Sequence, residues 1–278
     1  MNNSINVVYS LLLFLSGCIS LGTLRVAWKR RQAVPYAAPL ALFSFGTAFW
    51  ALTYAVHWTN FPRFSEFFWV DLTYLGVVIV PTAFFAFVLI YTDKADWLSK
   101  RTIVLLTIQP LLTLLFLWTD SQFGIFFAGK RMSGAGIIND GGIWFWFHLV
   151  YSYFLIFFSI LIMLRAFIQS PRVYRGQTGM MVAGILVPIA MNILVVFGTN
   201  PAPNLDLTPI SFTITGLFIS IGVFRFRLLD LRPIAHRILS ASLKDAVIVL
   251  DDKNRIVDLN LSADKIIGKM LLSPIGCR

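Results

Sequence analysis

Seven long apolar segments dominate this 278-residue chain. A helix needs about 20 mainly apolar residues to cross the hydrocarbon core of a bilayer, and seven stretches reach or approach that length. They are Ile5–Ala27, Tyr36–Trp58, Phe67–Tyr91, Thr102–Thr119, Ile143–Phe167, Gly179–Gly198 and Thr208–Phe224. Charged residues make up only 13% of the chain, about half their share in soluble domains. The pattern predicts an all-α, polytopic membrane protein with a seven-helix transmembrane bundle.

The positions of lysine and arginine predict the orientation of this bundle, because cytoplasmic loops are enriched in both residues. One set of connections holds Arg25, Lys29, Arg30, Arg31, Lys94, Lys100, Arg101, Arg165, Arg172, Arg175, Arg225, Arg227, Arg232 and Arg237. The opposite set holds Arg63, Lys130 and Arg131. We therefore expect a multi-pass protein of the inner or plasma membrane with its N-terminus outside and its C-terminus in the cytoplasm. Basic cytoplasmic loops also account for the net charge of +10, so nucleic acid is not an expected partner.

The chain changes character after the seventh segment. Between residues 228 and 243, Leu228, Leu231, Ala235, Ile238 and Ser242 form a coiled-coil-like seam, which predicts a signalling helix. The stretch DAVIVLDDKNRIVDLN (245–260) then alternates apolar and charged residues around a polar turn. This predicts strands at Val247–Leu250 and Ile256–Leu259, with Asn260 capping a helix over Leu261–Lys269. The predicted domains are thus residues 1–227, 228–243 and 244–278.

Polar and ionisable side chains inside a span are costly, so each is a functional candidate. Most of those in this chain fall in the predicted outer half of the spans. They are Tyr54, His57, Asp71, Tyr74, His148, Tyr151 and Asn192. One interpretation is a ligand-binding cavity open to the outside, in which Asp71 faces a cationic or hydroxylated group and His148 responds to pH. The other is that these residues pair between helices, each bond contributing roughly 0.6–2 kcal/mol.

Two further features lie near these residues. Gln109 precedes Pro110 in the fourth segment, and we expect it to satisfy the backbone at a proline kink. The connection over residues 120–142 is much longer than the other outer loops. Its apolar runs, separated by glycines, predict either a hairpin or lid over the outer face or an irregular loop with interfacial aromatics.

Motifs for catalysis and cofactor binding are missing from the sequence. The sixth and seventh segments contain no lysine for a retinal Schiff base, and there is no H-E-x-x-H, Walker, Gly-x-Ser-x-Gly or CxxC motif. We therefore expect no catalytic residue, cofactor or metal site, and do not expect this chain to be an enzyme.

Residues 1 to about 232 are similar to the N-terminal seven-helix region of bacterial and archaeal sensor histidine kinases. The resemblance is carried by AFWALTYA (48–55), FWVDLTYLGVVIVPTAFFAFVLIYT (68–92), IWFWFHLVYSYFL (143–155) and LDLTPISFTITGLFISIGVFRFRLLDLRPIA (205–235). The stretch DAVIVLDDKNRIVDLNLSADKIIGK (245–269) resembles the opening of a PAS domain without the later strands. Because those strands normally complete the sheet, we expect this tail to be poorly ordered or loosely packed.

The resemblance implies a sensory input module of a two-component histidine kinase. Such a module detects an extracellular or membrane signal, either a small molecule or a property of the lipid bilayer. It relays that signal to a cytoplasmic PAS or kinase output, here as a homodimer formed through the linker helix. The chain lacks kinase motifs, and His236 stands in a linker context rather than in a phospho-acceptor motif. A small-molecule transporter or channel is the alternative, although the polar groups thin out towards the predicted inner half.

Overall fold

Helices account for most of the computed structural model. The structure describes residues 3–59, 66–127, 141–169, 172–196, 207–225, 245–250, 256–260 and 262–263. The predicted linker over 228–243 and most of the predicted helix after Asn260 lie outside these ranges. So do residues 128–140 of the long outer connection.

Seven long helices occupy the seven apolar segments of the described chain. They are α1 (Asn3–Arg30), α2 (Ala37–Trp58), α3 (Glu66–Tyr91), α4 (Lys100–Trp118), α6 (Ile143–Gln169), α7 (Arg172–Val196) and α8 (Thr208–Arg225). A one-turn helix, α5 (Asp120–Phe123), follows α4, and a 3-10 turn covers Ala95–Trp97. α7 begins seven residues before the predicted start at Gly179, because helix-forming residues continue to the polar Arg172 end beyond the apolar run.

Five of these helices have the length and hydropathy needed to cross a membrane within the described residues. The matching stretches are Asn6–Arg30, Ala37–Trp58, Phe68–Tyr91, Lys100–Trp118 and Ile143–Gln169. The chain is therefore a helical, multi-pass membrane region. α7 and α8 stand where the sixth and seventh spans are predicted.

The helices form a ring from which α4 stands apart. α1 packs on α2, α2 on α3, α3 on α6, α6 on α7 and α7 on α8, and α8 returns to α1. α4 lies outside this ring, against α3 and α6, and buries one stripe of side chains: Gln109, Thr113 and Leu117. Its opposite face exposes large apolar residues such as Val104 and Leu111, as a lipid-facing surface would.

Small residues allow α2 and α3 to approach closely near their midpoints. A Cβ atom placed on Gly76 would lie 2.5 Å from the Gly46 carbonyl oxygen and 2.6 Å from the Trp50 backbone nitrogen. One turn further along, the hydroxyls of Thr53 and Thr73 are 3.0 Å apart. Helices in lipid associate through such close packing and interhelical hydrogen bonds rather than through hydrophobic burial.

The described part of the tail is a two-stranded antiparallel hairpin, with β1 at Ile248–Leu250 and β2 at Ile256–Leu259. Asn260 is buried and holds this hairpin together: its Oδ1 accepts hydrogen bonds from the backbone N–H groups of Val247 and Ala263, and its Nδ2 donates to the Asp245 carbonyl. The bond from Ala263 is the predicted helix cap. The expectation that the tail is poorly ordered or loosely packed stays a prediction, because most of residues 244–278 lie outside the described ranges.

Candidate functional site

The described contacts of the predicted site residues fall in two regions. Tyr54 packs against Tyr9 of α1 and stacks on His57, whereas Tyr74, His148 and Tyr151 lie among α3, α4 and α6. Asp71 is half-buried on α3, one turn before Tyr74. The side chain of Asn192 lies outside the part of the chain that the structure describes, although its backbone belongs to α7.

The first group is an aromatic cluster at the end of α2. The ring of Tyr54 stacks on that of His57 at 5.5 Å, and Trp58 meets Tyr9 of α1 edge-to-face at 5.1 Å. Leu207, at the start of α8, packs against the same cluster. Edge-to-face and stacked pairs of this kind stabilise a helix interface, and the geometry here is that of packed rings.

The second group contains a chain of hydrogen bonds between α4 and α6. Gln109 Nε2 donates to Thr113 Oγ1 at 2.9 Å and lies 2.9 Å from His148 Nδ1. Trp144 Nε1 donates to the same Thr113 hydroxyl at 3.0 Å. We call these four residues the α4–α6 network. Each helix contributes two residues spaced four apart, which puts both on one helix face.

The network leaves one acceptor without a partner. Gln109 is 6% exposed, and its Oε1 has no hydrogen bond to any described residue. With Nε2 directed at His148, Nδ1 of the histidine is an acceptor and the ring proton resides on Nε2. A buried amide oxygen without a partner is costly, so Gln109 Oε1 is a position at which a ligand N–H or O–H group would be favoured.

Tyr151 satisfies the backbone at the kink in α4. Pro110 has no N–H group, so the carbonyl of Leu106, four residues earlier, has no intrahelical donor. The Tyr151 hydroxyl donates to this Leu106 oxygen at 3.0 Å from the neighbouring α6. The sequence-based assignment of this role to Gln109 is therefore wrong, because the Gln109 side chain points along its own helix to Thr113 and across to His148.

The long outer connection turns inward immediately after α5. Asp120 is buried, and its Oδ1 accepts the backbone N–H groups of Phe126 at 2.6 Å and Phe127 at 3.0 Å. Both phenylalanines are buried as a result. On the far side of the connection, the Gly142 N–H donates to the Phe126 carbonyl at 2.6 Å. Residues 124–127 and 141–142 thus pack on the end of the bundle, and we call them the covering segment. The choice between a lid and an irregular loop stays open, because residues 128–140 lie outside the described ranges.

Tyr74 joins this covering segment to the α4–α6 network. Its ring lies edge-on to Phe126 at 5.1 Å and to Phe127 at 6.0 Å, and it is 6.4 Å from the His148 ring. A movement of the covering segment would therefore displace the Tyr74 ring, which is a neighbour of the His148 ring. The arrangement can bind a ligand through hydrogen bonds and can change its own hydrogen-bond partners. Within the described ranges, no three His, Cys, Asp or Glu side chains are grouped as metal ligands would be.

Sequence reasoning missed three members of this site: Thr113, Asp120 and Phe126. Thr113 carried a usable signal, since it stands four residues after Gln109 on an otherwise apolar helix. Asp120 carried a weaker one, as a single carboxylate just after a span. Nothing in the sequence pattern marks Phe126, because its burial depends on the loop geometry that Asp120 imposes.

Comparison with known proteins gives one family. Residues 12–233 match the family model described as the N-terminal 7TM region of histidine kinase. A search of curated proteins finds no match to the chain.

Proposed function

The chain belongs to the family of N-terminal seven-transmembrane regions of histidine kinases, and we propose that it detects its signal at the α4–α6 network and the segment that covers it. Family membership makes it the sensory region of a histidine kinase, because the match extends over residues 12–233, well over half of the chain. The observation that supports the location is the buried, incompletely satisfied Gln109–His148 pair.

The position of α4 favours this site as the one that responds. A ligand shifts a conformational equilibrium by binding one state better than another, so the sensing element must have a second arrangement within reach. α4 lies outside the ring and contacts α6 through the network and the Tyr151 bond. Hydrogen bonds that a ligand can replace therefore contribute to the packing of α4 against α6.

We propose a small ligand that carries a hydroxyl or amine group. Gln109 Oε1 would accept from such a group, and the carboxylate of Asp71, one turn from Tyr74, would favour a positive charge. The basic residues at the opposite end of the bundle support an orientation with this site outside and the C-terminus in the cytoplasm. Residues 228–243 would relay the change within a homodimer to the PAS-like segment over 244–278 and the kinase output.

A binding screen tests this proposal on the whole chain in lipid nanodiscs. The probes are amino acids, biogenic amines, sugars and nucleosides, and the measurement is the shift of the unfolding temperature. We expect at least one probe to stabilise the wild-type chain and to lose its effect in His148→Ala. His57→Ala is the matched control, because it removes a histidine from the aromatic cluster at the end of α2, which has no described contact with Gln109.

Three outcomes contradict the proposal. If no probe stabilises the chain, or if both histidine variants lose the shift equally, the α4–α6 network is not the binding site. If the stabilising probe also accumulates inside proteoliposomes that contain the chain, the transporter alternative explains the binding instead.

A further inference from the structure

A small polar cavity lies between α1, α2 and α8, apart from both groups of predicted site residues. Its volume is about 10 Å³, close to the smallest space that holds one water molecule. Five hydroxyl side chains line it together with Phe43 and Ile219. They are Ser20 and Thr23 of α1, Ser44 and Thr47 of α2, and Thr215 of α8. All five are buried, so the cavity is a polar compartment next to the main apolar core.

The three threonines direct their hydroxyl hydrogens at backbone carbonyls. Thr23 donates to the Ile19 oxygen at 3.2 Å and Thr47 to the Ser44 oxygen at 3.1 Å. Thr215 donates to the Gly184 carbonyl of α7. Since each hydrogen is used in this way, the oxygen atoms of these threonines offer lone pairs to the cavity.

The two serines are in a different state. Ser20 is 4% exposed and Ser44 is 2% exposed. Among the described residues, neither hydroxyl has a hydrogen-bond partner. Buried hydroxyl groups are nearly always paired with protein or with ordered water. Both serines therefore need a partner, and the cavity that they line is where it would be.

We propose that this cavity binds one water molecule, which bridges Ser20 and Ser44 and also contacts the threonine oxygens. A water both donates and accepts hydrogen bonds, which matches a lining of two free hydroxyls and several lone pairs. A metal cation fits less well, because no carboxylate is among the lining residues and an uncompensated charge is costly in an apolar interior. An apolar ligand would leave the serines unpaired.

Such a water would join the first two helices to the last described one. α8 also contacts α1 directly through the Ser16 hydroxyl, which donates to the Pro209 carbonyl at 2.8 Å. The junction would then contain one direct and one water-mediated polar contact. This inference does not depend on where the signal is detected.

Radiolytic hydroxyl-radical labelling of the whole chain in nanodiscs tests this proposal, because bound water yields radicals that oxidise adjacent side chains. Phe43 lines the cavity, whereas Phe84 is equally buried and packs on Phe43 at 5.8 Å but does not line it. We expect Phe43 to be oxidised several-fold faster than Phe84. The excess should fall in Ser20→Ala/Ser44→Ala and, as a second variant of nearly unchanged shape, in Thr47→Val.

Equal oxidation of Phe43 and Phe84 in the wild-type chain would overturn the proposal, as would an excess that survives in every variant. The measurement is repeated with choline chloride in place of sodium chloride. If the oxidation of Phe43 rises when sodium is removed, a cation rather than a water occupies the site, and the proposal is again wrong.

Discussion

Replacing Tyr151 by phenylalanine removes the hydroxyl that donates to a carbonyl from which Pro110 has taken the helical partner. The ring stays in place, so the change is confined to one hydroxyl, which donates to the Leu106 oxygen at 3.0 Å and also lies beside the Thr82 side chain. A buried unpaired polar group costs about 1–3 kcal/mol in soluble proteins. Interhelical hydrogen bonds in a membrane protein average about 0.6 kcal/mol with a maximum of about 1.7. We expect Tyr151→Phe to lower the free energy of unfolding by about 1–1.5 kcal/mol, in the overlap of these ranges.

The proline supplies an internal control. Pro110→Ala restores an N–H group at position 110, whose helical acceptor is the same Leu106 oxygen. In the Pro110→Ala background, the Tyr151 hydroxyl becomes redundant, and Tyr151→Phe should cost less than about 0.5 kcal/mol. The four proteins are compared by unfolding in dodecyl maltoside micelles with increasing sodium dodecyl sulfate. If Tyr151→Phe costs the same in both backgrounds, the proline-gap explanation is refuted.

Three further substitutions test other contacts by the same unfolding measurement. Gly76→Ala should destabilise the chain by about 1–3 kcal/mol, since its Cβ would strike backbone atoms, whereas Gly22→Ala, with nothing within 4 Å, should be neutral or slightly stabilising. Equal effects would contradict the close packing of α2 on α3. Asp120→Ala removes the acceptor of two backbone N–H groups and should cost about 1.5–3 kcal/mol while speeding proteolysis of the loop after α5; unchanged proteolysis would contradict the anchor. Thr215→Val leaves the Gly184 carbonyl without its hydroxyl donor and should cost about 0.6–1.7 kcal/mol. An unchanged free energy of unfolding would contradict a stabilising role for this contact.

The Thr215 contact repeats the chemistry of Tyr151 on the other side of the bundle. Pro188 removes the helical donor to the Gly184 carbonyl, just as Pro110 does for Leu106. In both cases a hydroxyl from the next helix supplies the missing hydrogen bond. Two of the three prolines that lie beyond the first turn of a long helix are thus paired with a hydroxyl on a neighbouring helix, so each of these two sites is also a point of contact between helices.

These contacts bear on the two interpretations of the polar residues. Tyr151 pairs with the backbone of α4, and His148 pairs with Gln109, as interhelical bonding predicts. The unpartnered Gln109 Oε1 is the feature that bonding between helices does not explain. A ligand site therefore remains a proposal that rests on one amide oxygen and its surroundings, rather than on all seven residues together.

Much of the fold was predictable from the sequence because each segment carried its own signal. The apolar runs gave the positions of all seven long helices, and α3 and α8 begin or end within one residue of the predicted bounds. Alternating residues and Asn260 predicted the hairpin in the same local way. The Asp120 anchor was not predictable, since its partners are the backbone groups of Phe126 and Phe127, and backbone groups leave no mark in a sequence.

The sequence by itself determined where the long helices lie and which end of the bundle is basic, and it predicts a depth for each polar side chain. These properties follow from hydropathy and charge along one dimension, which the bilayer converts directly into depth. The tertiary structure decided which helices are neighbours. Because α4 lies outside the ring, between α3 and α6, Gln109 meets His148 and Tyr151 reaches the carbonyl that Pro110 leaves free. The packing of α1 on α2 likewise brings Tyr54 against Tyr9. Depth is a property of each segment, but sideways position depends on how all the helices pack, and no single segment encodes it.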